Sequence, residues 1–110
     1  MDAPPLDVRT ESDGTVIIRP VGGIDAADAV RLQQVLVHTL RKVRPSRLVL
    51  DLAAVSRLDP ISAGTVSAAC GLGDDHDVAV FVHNPSSGIA EQLCAAGVPH
   101  HRLRRTAAVA

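Results

Sequence analysis

The stretch Leu48-Val-Leu-Asp-Leu52, carried through Ala53-Ala-Val-Ser-Arg-Leu58 into Asp59-Pro-Ile-Ser-Ala-Gly64, restricts this chain more than any other. An apolar run broken only by Asp51 predicts a central strand covered on both faces. Asp59-Pro60 then predicts the start of a helix. Aspartate is a strong N-cap, because its carboxylate accepts hydrogen bonds from the orphan amides of the first turn. Proline suits the first helical position, where its missing N–H costs nothing and its fixed φ fits the helix.

The core around that strand must be aliphatic. Phe81 is the only aromatic residue among 110, while 46% of the chain is hydrophobic and 21% charged, a globular balance. The shortage of rings also argues against RNA or single-strand recognition by base stacking. A net charge of −1 gives no global field to attract nucleic acid or an anionic membrane. Cys70 and Cys94 are too few and too far apart for a disulfide scaffold or a zinc site, and are expected as buried thiols in predicted helices. Met1-Asp-Ala-Pro-Pro5 lacks the basic and apolar regions of a signal peptide, and no apolar run is long enough to span a bilayer. A cytoplasmic protein is expected.

Strand and helix signals alternate along the rest of the chain. Val8 to Thr10 and Thr15 to Arg19 flank Asp13-Gly14, a strong hairpin signal. Gly22-Gly23 breaks the pattern, and Asp25 is placed to cap a helix whose Leu32, Val35, Leu36, Leu40 and Val43 recur at helical spacing. A second helix is expected from Pro60 to Ala69 or Cys70, stopping in Gly71-Leu-Gly73. Val78 to Val82 is a further buried strand, and His83-Asn84-Pro85 repeats the cap-then-proline device. A third helix carries Ile89 and Leu93 and ends at Gly97, before Pro99. Arg102 to Arg104 predicts a last short strand, and Thr106 to Ala110 a frayed tail. The expected fold is a single α/β domain over residues 1–110, with its core at about 8–103. Its mixed sheet has about four to five strands, with an opening hairpin, parallel central strands and about three helices.

The strand, loop and Asp59 helix start resemble the signature of STAS domains, the family of bacterial anti-sigma factor antagonists. Gly22-Gly-Ile-Asp25 is similar to that family's Gly-Glu-Leu-Asp before its first helix, with Gly23 in place of Glu. The order of elements agrees from about Val8 to Leu103. Family members usually add a helix after the last strand, which this sequence is expected to lack. In the family, Asp is followed by a serine that is the regulated phosphorylation site. Pro60 stands at that position here.

The resemblance implies a protein that binds a GHKL-type anti-sigma factor kinase and releases a sigma factor, with no cofactor and no catalytic residue. Its partner-binding surface is expected at Gly23, Asp25, Ser56, Asp59, Pro60, Ile61 and Ser62. Ile61 is expected to be partly exposed. Ser62, the nearest surviving hydroxyl, is read as a first-turn helix residue ahead of a possible phosphate acceptor, since two helical residues rotate it by about 200° from position 60. Asp59 also reads as a plain helix cap, a role compatible with a place at the partner surface. Asp74-Asp-His-Asp77 gathers carboxylates and an imidazole but has no second ligand set, so a solvated loop is expected and no metal. His100-His101 with Arg102, Arg104 and Arg105 is read as a solvated basic end. Cys94 and Ser87 have no His and acid at a triad spacing. Asn84-Pro-Ser-Ser-Gly88 is read as capping chemistry. An alternative function is a divergent module that senses a nucleotide or small ligand, or docks another regulatory partner.

Overall fold

The computed structural model describes residues 6–106. The expectations for Met1–Pro5 and for the tail beyond Thr106 lie outside the described residues. Strands β1 (Leu6–Thr10) and β2 (Val16–Pro20) form the opening antiparallel hairpin. Its turn is held by Thr15 N–H donating to Asp13 Oδ1 at 2.9 Å and by Gly14 at φ 90°, a left-handed conformation that favours glycine. Three strand-helix units follow. Helix α1 (Ala26–His38) leads to β4 (Arg47–Asp51), α2 (Pro60–Asp75) to β6 (Ala79–His83), and α3 (Ser87–Ala95) to the short β7 (Leu103–Arg104). Between them lie two short strands, β3 (Gly22–Ile24) and β5 (Val55–Leu58), paired parallel to each other.

The main sheet has the order β1-β2-β4-β6-β7, parallel from β2 onward. Each crossover from β2 steps in the same direction, and right-handed crossovers then place all three helices on one face. Register does the rest. Val16, Leu48 and Val80 stand side by side on the helix face, and Ile18, Leu50 and Val82 form the next row. All six are essentially inaccessible. Burying each such side chain contributes roughly 1.5–3 kcal/mol, so these two rows alone anchor the sheet to the helices. Leu32, Leu36 and Leu40 complete the core from the first helical segment, and Val66, Ala69 and Cys70 complete it from α2.

The middle of β4 is covered on both faces, but helices cover only one of them. Arg47 and Asp51 lie on the opposite face, where Asp51 pairs with Arg19 at 3.2 Å. Val49 is buried there, between its cross-strand neighbours Ile17 and Phe81. Long side chains provide the shielding: the Arg104 guanidinium lies 4.2 Å from the Phe81 ring centroid. An apolar run therefore did not require helices on both sides.

Other local expectations shift for identifiable reasons. The first helix changes at Thr39–Val43 into a wider π-type turn that ends at Arg44, φ 51°. Val43 thereby leaves the apolar stripe and is exposed. Helix α2 passes through Gly71 and Gly73 to Asp75. Gly73 is needed for packing: a Cβ there would meet Val80 Cγ2 at 2.6 Å and the Val78 carbonyl at 2.7 Å. Asn84 does not cap α3. It sits at φ 59°, hydrogen-bonded to the Arg104 carbonyl and to Thr106, and Ser86 takes the cap by accepting from Ile89 N–H at 3.2 Å.

The ends of the helices differ in a similar way. Cys70 is buried as expected, and burial pushes its thiol pKa up; Cys94 is exposed, on the outer side of α3. Asp74 and Asp75 belong to the last turn of α2 rather than to a loop. Arg102 is no part of a solvated end: it folds inward, donating to the Val80 carbonyl at 3.1 Å and to Asp74 at 2.7 Å.

Gly73→Ala is expected to destabilise the fold, because overpacking costs about 1–3 kcal/mol and part of the clash is with backbone that cannot rotate away. The gain in helix propensity, about 1 kcal/mol, offsets only part of this. Equilibrium urea unfolding measures the net change.

Candidate functional site: two helix starts tied by a short ladder

Strands β3 and β5 end where α1 and α2 begin, so their pairing sets two helix N-termini side by side. Gly22 N–H donates to Ala54 C=O at 2.9 Å, and the pairing shifts register between Gly22 and Gly23. Gly22 takes φ 91° at this irregularity, which a side chain would disfavour. The ladder closes with Asp59 N–H donating to the Ile24 carbonyl at 2.8 Å. Helix α3 braces the same corner through Gln92 Nε2, which donates to the Leu58 carbonyl at 2.7 Å. Sites in parallel α/β sheets gather at the carboxyl ends of strands for this reason: the loops and helix starts converge there.

Each helix start is capped by its own aspartate. Asp59 is extended, φ −62° and ψ 142°, and its Oδ2 accepts from Ile61 N–H at 2.8 Å, with Pro60 in the first helical position. Asp25 forms a reciprocal capping box. Its Oδ1 accepts from Asp28 N–H at 3.0 Å, and its own N–H donates to Asp28 Oδ2 at 3.2 Å. The hydrogen bond from the Asp28 backbone holds the Asp25 carboxyl below the usual carboxylate range, and the positive charge of Arg57 adds to the effect. The Arg57 guanidinium lies over Gly23, close enough that a Cβ there would stand 3.0 Å from Nη2. The sequence pattern pointed to Gly23 but not to the arginine that occupies its space.

The residues expected at a partner surface separate into two groups. Asp25, Ser56, Pro60 and Ile61 are exposed, and Gly23 and Asp59 are half-buried. Ile61 is 64% exposed, the highest value among the exposed large hydrophobic residues. Ser62 leaves the surface altogether. It is fully buried, and its Oγ has no hydrogen-bond partner. The third residue of α2 turns toward the core while the second turns toward solvent. From Ile61, a groove of about 680 Å³ runs between α1 and α2, past Gly64, Thr65 and Ala68 on one side and Gln33 and Val37 on the other.

With this geometry in place, the comparisons with known proteins are decisive about family. The STAS domain profile matches residues 8–107. The chain belongs to the STAS domain family. Among solved structures it is similar to the anti-sigma factor antagonist SpoIIAA in its unphosphorylated form. The TM-score is 0.78 at 13% identity, covering 94% of this chain and 89% of that one. The phosphorylated form of SpoIIAA, a Bacillus cell fate determinant, gives 0.79 at 14% identity, covering 94% and 92%. An anti-sigma factor antagonist from Mycobacterium paratuberculosis gives 0.66 at 24% identity, covering 84% and 79%. No curated protein matches the sequence. These likenesses establish the STAS fold, with its mixed sheet and three helices.

Among the described residues, no helix is long and apolar enough to cross a membrane, and no three His, Cys, Asp or Glu side chains gather to hold a metal. Asp59→Ala is expected to cost about 1 kcal/mol, the usual loss for a removed N-cap, as measured by equilibrium unfolding. For Asp25 the sign follows from its lowered folded pKa. The stabilisation is full above the ordinary carboxylate value and is lost as the pH falls through the lowered one. Asp25→Asn is therefore expected to flatten the acid limb of a stability-versus-pH curve while preserving its neutral plateau in shape.

Proposed function

We propose that this chain is an anti-sigma factor antagonist, a binding module rather than an enzyme. It docks on a kinase-type anti-sigma factor in the cytoplasm and frees a sigma factor for transcription. The observation that carries this reading is Ile61. A branched apolar side chain left 64% exposed on the first turn of a helix adds nothing to the core. It is suited to insertion into a partner's pocket, where a single buried anchor often supplies much of the affinity. Near it, Asp59 and Asp25 at the two helix starts and Ser56 on β5 supply polar groups, an arrangement suited to protein docking.

The same surface is read as insensitive to the phosphate switch of its family. Proline has no hydroxyl at position 60, and Ser62 is inaccessible. Elsewhere in the family, phosphate at this place adds charge at the interface and opposes docking. Here, binding is governed by the concentrations of the partners. The similarity to the SpoIIAA and mycobacterial antagonist structures supports the reading at the level of fold.

A second reading rests on the groove between α1 and α2, whose volume of about 680 Å³ suits a nucleotide or small apolar ligand. Thermal stabilisation by such a compound, in the absence of any protein partner, would favour it.

Ile61→Asp is expected to weaken binding to an anti-sigma kinase by tenfold or more on the order expected for a lost anchor, with the far-ultraviolet circular dichroism unchanged. Isothermal titration calorimetry reads the affinity. Kinase and ATP are expected to leave the wild type unphosphorylated and to phosphorylate Pro60→Ser. Stoichiometric phosphate on the wild type would show that the switch has moved to another residue.

A further inference from the structure

Among the described residues, one margin of the main sheet is formed by β1. Strand β1 pairs with β2 on one side and, among the described residues, has no strand on its other. An open edge exposes a row of backbone donors and acceptors, and proteins commonly blunt it with proline, a bulge or charged side chains. Leu6-Asp-Val-Arg-Thr10 has no proline and no bulge, and its charges are Asp7 and Arg9. Its register against β2 is unbroken from Leu6↔Pro20 to Thr10↔Val16, and its two charges have opposite signs.

The hairpin determines which backbone groups face outward. Glu11 N–H donates to the Thr15 carbonyl at 2.8 Å, so these two residues form a hydrogen-bonded pair. Bonded and non-bonded pairs alternate along an antiparallel ladder. Arg9 and Asp7 are therefore bonded to β2, whereas Leu6, Val8 and Thr10 turn their N–H and C=O groups to the open side. Side chains alternate independently. Asp7 and Arg9 share one face, 3.6 Å apart, and Val8 lies on the helix face. Val8 is 50% exposed and borders a groove of about 420 Å³ shared with Val35, His38 and Val43. Val43 is itself exposed.

We propose that β1 pairs antiparallel with β1 of a second copy of this chain, about a two-fold axis through Val8. In that register Val8 meets Val8 of the partner subunit, and Leu6 meets Thr10 of the partner subunit. The outward backbone groups of each pair then bond to one another. Asp7 falls opposite Arg9 of the partner subunit, and Arg9 opposite Asp7 of the partner subunit. These are non-bonded pairs, in which Cα atoms approach to about 4.5 Å and side chains are closest. Opposite charges facing each other across strands are favourable, and like charges are not. The two neighbouring antiparallel registers place the axis on Asp7 or on Arg9 and so oppose identical charges. Charge thus selects the Val8 register from the alternatives. On the helix face, the two Val8 side chains pack together at the mouths of both apolar grooves. The result is one continuous sheet through two subunits, joined by a symmetric contact.

The inference does not rest on the anti-sigma reading, and its test does not use that partner. Sedimentation equilibrium of the full chain is expected to show a reversible dimer. Asp7→Arg and Arg9→Asp each oppose like charges twice across the axis, and each is expected to weaken the dimer by about tenfold or more. The double variant, Asp7→Arg with Arg9→Asp, restores opposite pairs and is expected to recover the dimer. A chain that stays monomeric at every concentration would overturn the proposal. So would a dimer indifferent to both single reversals, or a double variant no better than the single ones. Should a reversal unfold the chain, Val8→Cys provides a second arm, in a Cys94→Ser background because Cys94 is exposed. Bonded antiparallel pairs hold their Cβ atoms about 5.5 Å apart, too far for a relaxed disulfide but within the span of a short bismaleimide. A short bismaleimide is therefore expected to link two copies through position 8, and failure to do so would refute the pairing.

Discussion

The short ladder between β3 and β5 is the constraint on which the candidate site depends. Its last bond, from Asp59 N–H to the Ile24 carbonyl at 2.8 Å, joins the residue that caps α2 to the residue that precedes the cap of α1. Two helix starts separated by more than thirty residues of sequence thereby share one surface. Neither strand is long enough to be stable alone, since isolated pairs of this size are marginal in water. They persist because Ile24, Val55 and Leu58 are buried in the common core.

The same ladder accounts for the chemistry of the surface. The Arg57 guanidinium lies over Gly23, beside the register shift at Gly22. Its charge then lies near Asp25, whose carboxylate is already held by the capping box. On α2, the N-cap fixes the phase of the helix. Pro60 and Ile61 face outward, and Ser62 and Ala63 face the core. One residue of rotation separates an exposed anchor from a sealed hydroxyl. Ser62 Oγ is an unpartnered polar atom in that core, which makes the position costly to the fold.

The opposite side of the sheet follows other rules. With all three helices on one face, the strands present Arg19, Asp51, Arg47, Phe81 and His83 on the other. The Arg19–Asp51 cross-strand ion pair and the Arg104 guanidinium over Phe81 cover apolar surface there without a second layer. Burial keeps the His83 imidazole pKa below its ordinary value, and Arg104 and Arg47 reinforce this against Asp51.

What could be read from the sequence was what local chemistry decides. Capping and proline placement located the starts of α1 and α2 at Asp25 and Asp59, and apolar runs located β4 and β6. Asp13-Gly14 located the hairpin, and exposure of Ile61 followed from its place in the first turn. Other features depended on contacts between distant parts of the chain. The three-residue β3 and four-residue β5 carry too little pattern to be recognised before they pair. Gly73 continues a helix because Val78 and Val80 leave no room for a side chain, whereas its residue type by itself signals a stop. Cys94 is exposed and Cys70 buried because only one side of each helix meets the sheet, and the angle of docking chooses that side. Arg102 turns inward because the end of α2 places Asp74 beside it. Short-range hydrogen bonding and periodicity act within a few residues and are visible in sequence; shape complementarity exists only after the chain has folded.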